Sequence, residues 1–139
     1  MSDIRHLTQF IFIRVVIYTM KTILLSLMTL ISIDSIYLYL IKNLFQKHIS
    51  TIQGSELQIN MYGAIICYIL LSFGLNYFIL NTNKSIIDAF ILGLVIYGVF
   101  ESTNLALFTK WPSYFVFVDT LWGGILFALT TFLIRKMQG

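Results

Sequence analysis

Three acidic residues, Asp34, Glu101 and Asp119, lie inside long apolar runs of the sequence. A charged side chain in apolar surroundings needs a partner, a wet cavity or a proton, because its removal from water is costly. Carboxyl groups that approach one another there cannot all ionise, so at least one is expected to hold a proton near neutral pH. The residue types therefore predict a site that binds or passes a proton, a cation or a small polar ligand.

Other reaction chemistries have little support in the sequence. It contains no phosphate-binding glycine loop, no paired cysteines and no nucleophile motif such as G-x-S-x-G. His6 and His48 lie outside the apolar spans and lack a second histidine or cysteine at metal-ligand spacing. Acids on three separate helices are only a weak signal for Mg²⁺ or Ca²⁺. We therefore expect no metal and no cofactor, and the sequence favours a role other than catalysis.

The composition predicts a membrane protein. Of 139 residues, 58% are hydrophobic and 11% are charged, whereas a soluble domain carries about 25% charged residues. The formal charge of +3 comes from Lys and Arg at the edges of the hydrophobic runs, which favours contacts with anionic lipids over nucleic acid. Membrane lipids are therefore the expected partners. Homo-oligomerisation stays open, because a bundle of this size is narrow for a pore.

Four apolar segments are long enough to cross a hydrocarbon core, which needs about 20 residues. They comprise residues 22–41, 59–80, 86–108 and 114–134. The predicted fold class is all-α, a four-transmembrane-helix bundle that forms a single membrane domain over residues 22–134. Residues 1–21 are interpreted as an amino-terminal extension, interfacial or helical. Residues 42–58 contain the Gln53-Gly54-Ser55 turn signal and are predicted as the one substantial loop.

The Lys and Arg residues set the expected orientation. An even number of spans places both termini on one side of the membrane, together with the connection between the second and third helices. Six Lys and Arg residues fall on that side and three on the other. We therefore expect both termini in the cytoplasm.

Local signals mark where two of these helices begin. Ser85 and Asp88 stand three residues apart, the spacing of a capping box at the start of the third helix. Pro112 fits the first turn of the fourth helix, where its missing N–H has no consequence.

The three acids are predicted to lie at one depth in the bundle. At about 1.5 Å of rise per residue, each lies about 8 to 10 Å from the same end of the bundle. We therefore expect a shared polar pocket, which Asn104 joins as a ligand-binding or proton-binding residue together with the acids. Helical spacing adds lining residues from the faces of the acids. They are Tyr37, Tyr97 and Trp122.

Several motifs in the chain resemble those of one family. The first helix carries Ile33, Asp34 and Tyr37, and a looser cluster in the second consists of Phe73, Gly74, Leu75 and Phe78. The most specific part is Tyr-Gly-x-aromatic-acid-x-Thr-Asn-x-Ala, then Trp-Pro, then Asp-x-x-Trp-Gly. Its residues are Tyr97, Gly98, Phe100, Glu101, Thr103, Asn104, Ala106, Trp111, Pro112, Asp119, Trp122 and Gly123. Over roughly residues 20–134 the chain resembles the bacterial and algal membrane proteins catalogued as domain of unknown function 2177.

The resemblance implies a four-helix integral membrane protein and brings no established activity. Glu101 stands where the family usually has Asp, and Tyr37 stands where Trp is common, so the volume of the pocket is expected to differ. Bacterial members tend to be encoded beside lipid-modifying enzymes, which makes a lipid-modifying membrane enzyme or accessory one alternative function. The other alternative is a structural component of a cellular or viral membrane, in which the acids only specify helix packing.

Overall fold

The structure, a computed structural model, describes residues 2–139, with side chains from Ile4 onward. Every regular element in this part of the chain is helical. The helices are α1 (Ser2–Gln53), α2 (Met61–Leu75), α3 (Ile86–Leu107) and α4 (Ser113–Gln138), and α2 continues as a π-helical turn over Asn76–Leu80. Four helices are long and apolar enough to cross a membrane. The predicted all-α, four-helix fold is therefore confirmed.

Helix α1 is much longer than a single membrane crossing. Its 52 residues correspond to about 78 Å, whereas a hydrocarbon core is about 30 Å thick. The described part of the predicted extension, the predicted span 22–41 and residues 42–53 form one continuous helix. Met1 of the extension lies outside the described residues.

The prediction of a loop that begins at residue 42 is wrong for a local reason. No Gly or Pro occurs between Ser2 and Gln53, and the charged residues of this stretch are compatible with a helix. Gly54, with a φ of +74°, is the first residue that can end the helix in the left-handed conformation. The Gln53-Gly54-Ser55 signal thus marks the end of α1, and the true connection to α2 is short.

The other helix ends follow capping chemistry. The Asn60 side chain accepts hydrogen bonds from the backbone N–H groups of Tyr62 and Gly63 at 3.0 and 3.2 Å. The predicted capping box at Ser85 and Asp88 is confirmed, with both reciprocal hydrogen bonds present. Helix α3 ends where Phe108 takes extended backbone geometry, and Pro112 is the extended residue immediately before α4, one position ahead of the predicted first turn.

The helices pack as neighbours in the order α2, α1, α4 and α3. The extensive contacts join α3 to α4, α4 to α1 and α1 to α2, whereas few contacts join α2 to α3 directly. Buried apolar residues from all four helices form the core. They are Leu30, Leu71, Leu75, Ile79, Ala89, Leu126 and Phe127.

Side chains of α1 and α4 meet at both ends of the bundle, the Pro112 end and the Arg135 end. At the Pro112 end, His48 of α1 hydrogen-bonds Tyr114 and packs edge-on against Phe115 of α4. At the Arg135 end, the Gln138 side chain donates to Thr22 at 2.9 Å. Helix α4 therefore ends beside the amino-terminal half of α1. The assignment of this end to the cytoplasm stays a prediction from the Lys and Arg count.

Backbone-to-backbone contact holds α3 against α4. A Cβ atom placed on Gly93 would overlap the carbonyl oxygen of Gly123 and would lie 2.9 Å from the Cβ atom of Phe127. A Cβ atom placed on Gly123 would overlap the ring of Tyr97. Because dispersion and close packing replace the hydrophobic effect in lipid, such glycine contacts are a main source of helix association.

We expect the Gly93→Ala variant to lower the free energy of unfolding by about 1 to 3 kcal/mol, because the added methyl group forces α3 away from α4. Thermal unfolding in detergent micelles measures the change. Gly74→Ala is the matched control, because a Cβ atom there has no heavy atom within 4 Å. Equal stability of the two variants would contradict the close contact between α3 and α4.

Candidate functional site

Tyr37 connects α1 to Asp119 of α4. Its hydroxyl group donates a hydrogen bond of 2.6 Å to Oδ1 of Asp119. The Tyr37 ring also stacks on the Trp122 indole, with 4.3 Å between the ring centroids and 12° between the planes. Asp119 and Trp122 lie one turn apart on α4, so a single tyrosine side chain contacts both.

Asp34 lies where α1, α2 and α4 meet. The residue is 6% exposed. The Trp122 indole Nε1 donates to Oδ1 at 2.8 Å, and the Tyr68 hydroxyl donates to Oδ2 at 2.7 Å. Both oxygens of Asp34 therefore have a donor, and each donor comes from a different neighbouring helix.

Glu101 of α3 is the most deeply buried of the three acids, with 1% of its surface exposed. The Trp111 indole Nε1 donates to Oε2 at 2.8 Å. No N–H or O–H donor among the described residues reaches Oε1. The carboxyl groups of Glu101 and Asp119 are near enough to influence each other electrostatically.

The contact between Glu101 and Asp119 has a direct chemical consequence. An ionised carboxyl group has only acceptors, so a hydrogen bond between two carboxyl groups requires that one of them carry a proton. Trp111 already occupies one oxygen of Glu101, and Tyr37 occupies one oxygen of Asp119. One oxygen of each group remains without such a donor among the described residues. We call these two residues the carboxyl pair.

Aromatic side chains supply the N–H and O–H donors to the three acids within residues 4–139. The donors are two tyrosine hydroxyls and two tryptophan indoles, and all four are neutral. Asp34 is joined to the carboxyl pair through the stacked rings of Trp122 and Tyr37. A neutral donor does not cancel the charge of a carboxylate. No cationic group is therefore among the donors that could compensate the negative charge of the carboxyl pair.

The structure brings together some of the predicted site residues and separates others. Glu101 and Asp119 are adjacent, whereas Asp34 lies beside Trp122, one turn further along α4. The predicted depth of Asp34 is counted from a helix end at residue 41. That helix end is wrong, because α1 continues to Gln53. Among the described residues, no group of three His, Cys, Asp or Glu side chains is placed to hold a metal ion. The three acids are thus two linked groups rather than one ligand set.

Asn104 and Tyr97 lie on either side of Glu101 along α3. The Nδ2 atom of Asn104 is buried and has no acceptor among the described residues. Tyr97 packs over Gly123. Neither residue hydrogen-bonds an acid in the structure, so a ligand-binding role for Asn104 stays a prediction, whereas Tyr97 lies on the wall of a crevice that also contains Asp119.

A narrow crevice leads to Asp119 between α2 and α3. It has a volume of about 190 Å³, and Asp119 is the only acid on its wall. Its other walls are almost entirely apolar. They consist of Cys67, Leu71, Ile96, Tyr97 and Phe100. Cys67 and Phe100 are exposed on the surface of the bundle, so the crevice opens sideways, on the apolar flank.

Sequence reasoning missed Tyr68 and Trp111 as partners of the acids. A usable signal existed, because buried carboxyl groups need donors and this sequence offers mainly aromatic N–H and O–H groups inside its spans. In the sequence, Trp111 directly precedes Pro112 in the connection between the third and fourth helices, and Tyr68 is one of three tyrosines in the second. Their pairing depends on the rotation of each helix, which hydropathy alone does not specify.

The comparisons with known proteins concern the same part of the chain. A family model described as "Predicted membrane protein (DUF2177)" matches residues 19–134. This range contains the three acids and their four aromatic donors. No curated protein matches the chain, and no solved structure matches it.

We expect the Tyr37→Phe variant to unfold with a free energy lower by about 1 kcal/mol, because it removes the O–H group that reaches Asp119 but keeps the stacked ring. Unfolding in detergent micelles measures the loss. Tyr39→Phe is the control, because Tyr39 lies on the same helix with 70% of its surface exposed. In an Asp119→Ala background the effect of Tyr37→Phe should largely disappear. An undiminished effect in that background would show that the hydroxyl group acts elsewhere.

Proposed function

The chain belongs to the DUF2177 family of predicted membrane proteins, and on that premise we propose that this multi-pass integral membrane protein binds an exchangeable proton at Glu101 and Asp119. A cation, or the donor group of a small polar ligand, replaces the proton when the pair ionises. The observation that carries the proposal is a pair of neighbouring acids whose hydrogen-bond donors are neutral aromatic side chains.

Electrostatics explains why the carboxyl pair binds a proton. Two ionised carboxylates in contact repel each other, and the repulsion is strong where burial excludes water. One shared proton replaces the repulsion by a hydrogen bond and leaves a single negative charge on the pair. The proton therefore belongs to the pair as a whole, and loss of one carboxyl group changes the behaviour of the other.

Proton exchange requires that the carboxyl pair also exist without its proton and that a route lead to the pair. Without its proton the pair carries two negative charges, which a monovalent cation or a protonated amine would offset. Oε1 of Glu101 and Nδ2 of Asn104 have no other partner among the described residues. Buried polar atoms without partners commonly mark a position that water or a ligand fills. These atoms support a small polar ligand beside the pair.

The crevice between α2 and α3 supports access to Asp119 from the side of the bundle. At about 190 Å³ it is smaller than the pockets of about 300 to 1,000 Å³ that hold drug-sized ligands. It therefore suits a proton carrier, a small amine or the end of a chain. In this proposal Asp119 is the entry residue, Glu101 is the buried partner, and Asp34 holds Trp122 in place beside Tyr37.

The same crevice favours a second candidate function. A carboxyl pair that opens toward an apolar flank is placed to donate or accept a proton on a lipid-borne group, as a lipid-modifying enzyme or its accessory requires. This role needs the substrate to reach Asp119, because Glu101 is 1% exposed. The two candidates differ in outcome, since transport leaves the lipids unchanged.

We expect proteoliposomes with the wild-type protein to dissipate a pH gradient, and we expect the Glu101→Gln, Asp119→Asn double variant to lose this activity. The amide oxygen at either position still accepts the hydrogen bond from Trp111 or Tyr37, so the fold is retained while the shared proton is removed. A pH-sensitive dye inside the vesicles measures the flux. Glu56→Gln is the control, because Glu56 is exposed outside the bundle core.

The outcomes separate the candidates. Equal flux through wild type and the double variant, or no flux through either from mildly acidic to mildly alkaline pH, would refute proton transport. Mass spectrometry of the lipids from the same vesicles then tests the second candidate, and unchanged lipids after incubation would argue against lipid modification.

A further inference from the structure

A second cavity opens at the Arg135 end of the bundle, away from the carboxyl pair. It has a volume of about 480 Å³ and lies between α1, the connection from α2 to α3, and the last turns of α4. Arg135 is 16 residues from Asp119 along α4, which corresponds to about 24 Å. The cavity is therefore independent of the proposed proton site.

Arg135 is the cation on the wall of this cavity. One guanidinium nitrogen donates a hydrogen bond to the backbone carbonyl oxygen of Lys84, which holds the side chain against the connection between α2 and α3. A guanidinium group has five N–H donors in a planar arrangement. The donors that Lys84 does not use suit the oxygens of a phosphate group, which arginine binds in a bidentate manner.

Two amide side chains on the same wall are also available. Asn81 and Asn83 line the cavity, and their side chains make no hydrogen bond to the other residues that the structure describes. Asn83 has a φ of 52°, a left-handed conformation that asparagine tolerates better than most residues, and it turns the connection toward α3. Gln138 bonds Tyr18 and Thr22, so it forms part of the wall rather than a free donor.

The surroundings of the cavity change from apolar to cationic within about one helical turn. Leu80 lies on its wall, and Tyr77 and Phe132, each about one turn before a wall residue, are 58% and 49% exposed. Lys84 and Lys136 follow at the end of the bundle. Exposed apolar side chains that give way to Lys and Arg are typical of the boundary between hydrocarbon and headgroups.

The acid nearest to Lys84 in the sequence does not neutralise the charge of Arg135. Asp88 stands four residues after Lys84, and its carboxyl group accepts hydrogen bonds from the backbone N–H group and the hydroxyl group of Ser85. The capping box therefore keeps Asp88 at the start of α3, and it is not a wall residue of the cavity.

We propose that this cavity binds the phosphate group of an anionic phospholipid, with Arg135 as the charged partner of the phosphate and Asn81 and Asn83 as hydrogen-bond partners of the headgroup. The volume of the cavity falls within the range of about 300 to 1,000 Å³ of small-molecule sites, which is sufficient for a headgroup. The bound lipid bridges α1, α4 and the connection between α2 and α3, and it stabilises this end of the bundle by mass action.

The test is the thermal stability of the purified protein in detergent with added phosphatidylglycerol or phosphatidylcholine of the same chain length. We expect phosphatidylglycerol to raise the unfolding temperature of wild type more than phosphatidylcholine does. Arg135→Gln should raise the half-saturating concentration of phosphatidylglycerol by at least about tenfold, as expected for a lost charge-assisted hydrogen bond. Lys136→Gln should leave it unchanged, because Lys136 is an exposed neighbour of equal charge that does not line the cavity.

The readout is the lipid-dependent shift, so a change in basal stability from the lost Lys84 contact does not affect it. Asn81→Ala keeps that contact and should also reduce the shift. Equal weakening by Arg135→Gln and Lys136→Gln, or equal shifts with both lipids, would overturn the site. Inorganic phosphate and glycerol phosphate form a further arm, and stabilisation by them that equals that by the lipid would overturn the assignment to a lipid headgroup.

Discussion

Buried acids need hydrogen-bond donors, and these donors link α1 to both of its neighbours, α2 and α4. Asp34 accepts hydrogen bonds from side chains of α2 and α4, and Asp119 accepts one from a side chain of α1. Glu101 is bonded by Trp111, in the connection that follows its own helix. Each donor is a neutral aromatic group, so these hydrogen bonds do not compensate the charge of the acids. Oε1 of Glu101 has no donor among the described residues, and in the proposed function a proton shared with Asp119 completes it.

The same contacts leave one edge of the bundle open. Helix α2 is attached to α1 by Tyr68 on Asp34 and by Asn76, whose amide donates to Ser26 at 2.6 Å. Helix α3 is attached to α4 through the contact between Gly93 and Gly123. Since α2 and α3 are held by different partners, little packing is needed between them. The resulting crevice reaches Asp119, the less buried member of the carboxyl pair.

Most of the fold could be predicted from the sequence because its determinants are local. Hydropathy located the apolar helices, and the capping box at Ser85 located the start of α3. The continuity of α1 was missed because the polar residues after Ile41 were interpreted as a loop, although Gly54 is the first helix-breaking residue. The closeness of Glu101 and Asp119 follows from the short connection between α3 and α4, which fixes their relative register. The partnership of Tyr68 with Asp34 could not be predicted, since it depends on the rotation of α2 about its axis.

The central claim is that Glu101 and Asp119 share one proton. Infrared spectroscopy of the protein in lipid at neutral pH tests it directly, because a protonated carboxyl group has a C=O stretching band that a carboxylate lacks. We predict such a band in the wild-type spectrum, and we predict that the Glu101→Gln, Asp119→Asn double variant removes it, since neither position then carries a carboxyl group. A wild-type spectrum without a protonated carboxyl band, or a band that both substitutions leave unchanged, would contradict the shared proton.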